Sequence, residues 1–185
     1  LKGVKPAEPL PPVFAFETGS NQWRRFAAWP PKDEIESARL YLHPGGGLSF
    51  ESPGNVGEPC TEFVSDPAKP VPYRVRPIGL SSSIGDSTWG RWLVDDQRPF
   101  SDRPDVLTFV SEPLAAPITV RGEVIATLFA STTGTDADWV VKLIDLYPNE
   151  VPAQPVMGGY QLMICGDILR GRYRENRVEA RPIPP

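Results

Sequence analysis

Proline most constrains what this chain can fold into: 23 of its 185 residues are proline, more than twice the usual share of about 5%. Each proline removes a backbone donor and fixes φ, so long helices are excluded and every regular segment has to be short. Short β-type runs are what the intervals contain. Val13–Glu17, Gln22–Phe26, Arg39–Leu42 and Leu48–Phe50 are rich in aromatic and β-branched residues and bounded by Gly, Pro or Asn. Gly45-Gly46-Gly47 supplies positive φ between the last two, which suits a hairpin turn. After an irregular stretch over residues 65–103, apolar runs return at Val106–Val110, Ile118–Val120, Val124–Ala130, Trp139–Tyr147 and Tyr160–Leu169. Several of these read as strands covered on both faces. The expectation is an all-β chain, an antiparallel two-sheet sandwich of the jelly-roll type.

Composition narrows function. With 40% hydrophobic residues the chain can support a core, and its net charge of -4 makes a phosphate-binding surface a poor expectation. No apolar run approaches the roughly 20 residues that span a bilayer, so neither nucleic acid nor membrane is an expected partner. The start, Leu1-Lys2-Gly3-Val4-Lys5-Pro6, has no Met and no signal-peptide pattern; the expectation is a piece of a longer protein. Pro6–Pro12 reads as a linker, with structure proper starting at Val13.

Catalytic chemistry is hard to assemble from these residues. There is no G-x-S-x-G elbow and one imidazole, His43, beside the Gly45 turn, where an exposed or capping role is expected. Cys60 and Cys165 lie far apart with no second histidine, which leaves no Cys/His zinc set; ordinary buried thiols are favoured over a disulfide. Asp136 and Asp138 resemble part of a calcium loop, but its remaining oxygens are missing. Asp95-Asp96, and Asp145 with Asp167, read as turn and strand-end carboxylates. No metal or cofactor is expected. Arg170, Arg172 and Arg174 alternate and would share one strand face; ion pairing with Asp or Glu is expected of them. Trp89 and Trp92 lie in the irregular stretch, where loop anchoring competes with contact to a ligand or partner.

Read in order, several motifs carry a family resemblance. They are Phe16-Glu17-Thr18-Gly19-Ser20-Asn21-Gln22-Trp23-Arg24, Ser65-Asp66-Pro67-Ala68-Lys69-Pro70-Val71-Pro72, Asp96-Gln97-Arg98, Arg103-Pro104-Asp105-Val106-Leu107, Asp138–Pro148, and Gly171-Arg172-Tyr173-Arg174-Glu175. Together they resemble the C-terminal domain of the X-Pro dipeptidyl-peptidase and cocaine esterase family, nearest in look to its α-amino-acid ester hydrolases and glutaryl-type cephalosporin acylases. The resemblance implies a galactose-binding-like jelly roll over residues 13–185. Residues 1–12 would be a linker and the end of a preceding α/β-hydrolase domain, which would carry the catalytic Ser, Asp and His. No catalytic residue transfers to this chain, so it would be the non-catalytic part of a serine hydrolase, with the catalytic domain as its partner.

In the family's cocaine esterases, loop residues ahead of the Asp-Gln-Arg motif enter the acyl pocket, which points to Leu80, Trp89 and Trp92 as substrate-pocket loop residues here. Family members continue past the Arg-Tyr-Arg-Glu motif into further strands, so the jelly roll is expected to lack its last strands. A free-standing β-sandwich that binds carbohydrate or protein is the alternative. Homo-oligomerisation stays open, as does the compartment, with a periplasmic or secreted parent compatible with the family.

Overall fold

The computed structural model describes residues 8–54, 60–73 and 89–184. Proline density has the expected effect: among them the one α-helix is the four-residue α1, Arg98–Ser101, and the 3-10 pieces run to five residues at most. The regular structure is β and antiparallel. β1 (Val13–Glu17) pairs with β2 (Gln22–Phe26), β3 (Tyr41–His43) with β4 (Gly47–Ser49), and β5 (Asp138–Leu146) with β6 (Gln161–Arg170). The chain is all-β.

Turn chemistry sets the three hairpins. Gly19 (φ 83°) and Asn21 (φ 54°) both occupy the left-handed region between β1 and β2, where Gly and Asn are the residues that tolerate it. Gly45 and Gly46 do the same between β3 and β4. Gly46 has a second reason to be glycine, because a Cβ there would lie 3.1 Å from the Thr108 carbonyl oxygen. That close approach lets Val110 bond on both sides of the turn, donating to the Gly46 carbonyl at 2.8 Å and accepting from the Leu48 N–H at 3.0 Å.

The other expected runs differ from the sequence reading. Apart from the parallel bridge of Val110 to Gly47, residues 106–130 enter no ladder among the described residues. Pro113 and Pro117 withdraw two donors from this region, and among the described residues its backbone bonds are the local one from Val106 to Arg103 and those at the Gly46 approach. Coverage on both faces is not found either: Val124, Ile125, Leu128 and Phe129 are exposed. Cys60 and Cys165 are free thiols, but neither is buried as expected: Cys60 is exposed and Cys165 half-buried.

Phe26, 7% exposed, is the one buried aromatic side chain among the described residues, and Pro31 nearby in sequence is buried too. The Trp29 ring meets Phe26 edge-on at 5.5 Å and the Arg121 guanidinium lies 5.5 Å from its centroid. Arg121 also reaches Glu17 at 2.5 Å and Glu34 at 3.5 Å. Glu17 accepts further hydrogen bonds from Ser20 Oγ at 2.7 Å and from Arg24 Nη2 at 2.9 Å. Residues 121–122 therefore sit against the hairpin, and Gly122 (φ 94°) leaves the space in which a Cβ would lie 3.2 Å from Pro30 Cβ.

A second close approach follows β6. A Cβ on Gly171 would meet the Ala137 carbonyl oxygen at 2.6 Å, Trp139 Cζ3 at 2.7 Å and Ile183 Cδ1 at 2.8 Å. Two of these three groups precede or belong to β5, so the backbone has to move. Gly171→Ala is expected to cost about 1–3 kcal/mol, read as a lower denaturation midpoint; an unchanged midpoint would refute the close packing. The hydrogen bonds from Arg121, Ser20 and Arg24 hold the Glu17 carboxyl at about 2, below its ordinary value of 4.5. The ionised form thus stabilises the fold above about pH 4.5, and that contribution is lost as the pH falls toward 2. Melting temperature measured over this window should fall more steeply for the wild type than for Glu17→Gln; parallel curves would contradict the clamp.

Candidate functional site

The segment expected to carry function leads into the Asp96-Gln97-Arg98 motif, and the structure shows how the motif is seated. Gln97 is 5% exposed, the one buried polar residue among those described. A buried amide needs its donors and acceptors matched. Here Nε2 donates to the Asp95 carbonyl at 2.7 Å, and Oε1 accepts from Lys142 Nζ on β5 at 2.6 Å. The Gln97 N–H donates to the Gln161 carbonyl at the start of β6, 3.0 Å away. Gly166, opposite Lys142 in the ladder, keeps that stem unobstructed: a Cβ there would stand 3.3 Å from Lys142 Cγ. Burial pushes the Lys142 ammonium below its ordinary value, and its Nζ lies 5.7 Å from the Phe100 ring centroid.

Asp96 fastens the same turn. Its Oδ1 accepts from the Arg98 N–H at 3.1 Å and the Gln161 N–H at 3.2 Å, and its Oδ2 lies 2.5 Å from Arg98 Nη2. Burial opposes ionisation of Asp96, but these bonds outweigh it and hold the carboxyl below its ordinary value. Tyr160 adds a third point by donating its hydroxyl to the Val94 carbonyl; burial, then the Asp96 and Asp95 charges, raise that phenol above its ordinary value.

This anchorage holds the 3-10 turn Trp89–Leu93. Trp92 is half-buried and packs on Tyr73, with ring centroids 5.3 Å apart and planes at 40°. Of the other two expected pocket residues, Leu80 lies outside the described residues, and only the backbone of Trp89 is described. Sequence reasoning missed Lys142, Tyr160 and Gln161 as the groups that position the segment. Their signal was present only as the joint occurrence of the Asp96-Gln97-Arg98 and Asp138–Pro148 motifs.

The remaining motifs prove to be fastenings too. Arg103 forms a two-pronged pair with Asp105, at 2.8 and 2.6 Å, and its Nη2 reaches the Lys69 carbonyl at 3.0 Å. That joins the Arg-Pro-Asp motif to the Ser65–Pro70 motif. Asp136 and Asp138, which resembled part of a calcium loop, pair with Arg172 and Arg170. Arg174 pairs with Glu175, and Arg181 with Glu175 and Glu179. Only Arg170 of the alternating arginines lies on a strand, because Gly171–Tyr173 is a 3-10 turn, so the expected common strand face does not form, although all three pair with carboxylates of the chain. Asp145 and Asp167 face Leu162 and Val141 rather than each other. Among the described residues no group of three or more His, Cys, Asp or Glu could hold a metal ion.

One arrangement looks catalytic at first sight. His43 Nε2 lies 2.8 Å from Ser49 Oγ across the β3–β4 hairpin, the contact a base makes with a nucleophile. Ser49 Oγ also contacts the Glu51 carbonyl and N–H at 3.2 and 3.1 Å, a local turn bond. No carboxylate among the described residues is hydrogen-bonded to His43. The concavity of about 430 Å³ nearby is lined by Leu48, Phe50, Leu114 and Ile118. Ser49 also lines this concavity, but with its hydroxyl engaged in the local turn and no carboxylate orienting the imidazole the pair is a hairpin clasp.

The chain matches the family described as the X-Pro dipeptidyl-peptidase C-terminal non-catalytic domain over residues 6–185. It belongs to that family. The chain is 32% identical over 176 residues to cocaine esterase of Rhodococcus sp. (strain MB1 Bresler), an alignment that takes in 91% of this chain and 28% of the esterase. A crystal structure of an aminopeptidase from a marine sediment archaeon, Thaumarchaeota archaeon, is similar at 50% identity and a TM-score of 0.85. It covers 97% of this chain and 29% of its own. An α-amino acid ester hydrolase follows at 46% identity and a TM-score of 0.78, with 94% and 28% covered. The chain therefore spans under a third of each of these relatives. A domain named non-catalytic accords with motifs whose charges are spent on one another.

Lys142→Met removes the donor that satisfies buried Gln97 Oε1 and should cost about 1–3 kcal/mol in unfolding free energy, whereas Lys142→Arg keeps a donor and should cost less. Urea unfolding of the three proteins measures it; equal stability of the methionine variant would mean that the amide finds another donor.

Proposed function

We propose that this chain is the non-catalytic β-domain of a serine hydrolase that cleaves ester or amide bonds, seated as a jelly-roll sandwich on a catalytic α/β-hydrolase domain of the same polypeptide. Residues 1–12 are the linker and the end of that domain, and residues 13–185 are the jelly roll. The observation that carries this reading is the family match over residues 6–185 in a chain that spans only 28–29% of its relatives. Acyl transfer through a serine takes place on the other domain. The contribution of this one is to present the Leu80, Trp89 and Trp92 segment to the acyl pocket.

The anchored turn supports the second half of the reading. A pocket wall supplied from another domain works only if it is held to within fractions of an ångström. The segment before the Asp-Gln-Arg motif is fastened at Val94, Asp96 and Gln97 to a long hairpin. Its Trp92 stays half-buried, with Leu93 and Val94 exposed beside it.

An immunoblot of the source cells with antibody to this chain is expected to show a band several times heavier than 20.4 kDa; a band of that size alone would overturn the reading. In the complete enzyme, Trp92→Ala should raise KM for bulky acyl groups about tenfold, equivalent to roughly 1.4 kcal/mol of lost contact, and leave KM for small acyl groups near the wild type. Unchanged kinetics together with unchanged stability would remove the pocket role.

A further inference from the structure

The β1–β2 hairpin carries its largest apolar side chains on the face that a self-contained hairpin would keep polar. An antiparallel pair with one face to water places apolar side chains inward and polar ones outward. Here Glu17 and Arg24 share the inward face with Val13, Ala15 and Phe26, and Glu17 meets Arg121 there. The outward face carries Phe14, Phe16, Trp23 and Arg25. Phe14 stacks on Trp23 at 4.7 Å, Phe16 meets Trp23 edge-on at 5.3 Å, and the Arg25 guanidinium lies 5.6 Å from the Phe14 centroid. The three rings form one contiguous patch and stay 42%, 46% and 60% exposed. A one-residue slip would turn the rings inward, but the Glu17–Arg121 pair and the burial of Phe26 hold the register against it.

The approaching chain lies on the same face. Arg25 Nη2 donates to the Pro9 carbonyl at 2.6 Å and Nη1 lies 3.6 Å from the Glu8 carboxylate, so residues 8–9 are drawn onto the strand that bears Trp23. The matched family is a C-terminal domain and its match begins at residue 6; what such a domain follows is joined through these residues. We infer that the Phe14, Phe16 and Trp23 face is the surface on which the preceding catalytic domain docks, with Arg25 holding the linker at its rim. Contiguous exposed aromatics with a polar rim are what such an interface requires. This inference rests on the two-domain reading above and adds the face that the two domains share.

Hydroxyl-radical footprinting of the native polypeptide, read by mass spectrometry, tests it without any variant. Phe14, Phe16 and Trp23 should be oxidised at least tenfold more slowly in the native than in the urea-unfolded polypeptide, at all protein concentrations. Oxidation at the unfolded rate would overturn the docking face. Protection that disappears on dilution would assign the face to a second copy, and protection that appears only with added oligosaccharide would assign it to a sugar; either overturns the inference. A native polypeptide of only 20.4 kDa removes the two-domain reading itself, whereas a longer polypeptide with freely oxidised rings removes only the face proposed here.

Discussion

Glu17 gathers Ser20, Arg24 and Arg121, and the last of these lies 104 residues away in sequence. A carboxylate on the inward face of a strand is costly unless its acceptor sites are filled. Glu17 has three donors, and one of them, Arg121, also caps the Phe26 ring and reaches Glu34. The clamp thus determines two things together: that residues 121–122 pack on the first hairpin, and that the hairpin presents its charged side to its own chain. Everything outward about this region follows from that choice, since side chains alternate along a strand.

The rest of the molecule repeats the device at other points. Asp96 with Arg98 and Gln161, Gln97 with Lys142, Arg103 with Asp105, and Asp136 with Arg172 are polar pairs in or beside short elements that could not bury much apolar area. Exposed ion pairs contribute little to stability one by one. Their worth here is positional. In a chain broken repeatedly by proline, each bidentate or shared contact fixes where one segment lies on another, and two of them converge with the Tyr160–Val94 bond on the turn that carries Trp92.

The local part of this was legible in the sequence. Val13–Glu17 and Gln22–Phe26 are strands with the expected bounds, Gly45-Gly46 makes the turn, and the Arg170–Arg174 stripe finds its carboxylates within the chain. Each rests on period, turn residues or charge, which neighbours in sequence reveal. The Gln97–Lys142 bond spans 45 residues and the Asp96–Gln161 bond 65. Nothing in the periodicity of either segment announces the other. Val124–Ala130 misled for the opposite reason: an apolar run reads as a covered strand whether its cover comes from the same chain or from elsewhere.

That ambiguity bears on what a non-catalytic domain is for. A chain that kept its aromatic side chains for its own interior would be a better isolated sandwich and a poorer partner. By turning Glu17 and Arg24 inward and meeting their cost with Arg121, the hairpin leaves three rings free on the face where the linker arrives. The Asp96–Gln97–Arg98 fastening does the corresponding thing for the Trp92 turn, holding it from behind through polar groups so that its apolar side stays available. Polar contacts inside and apolar surface outside are a poor arrangement for a molecule alone in water, and the arrangement that the proposed docking face and pocket wall would require.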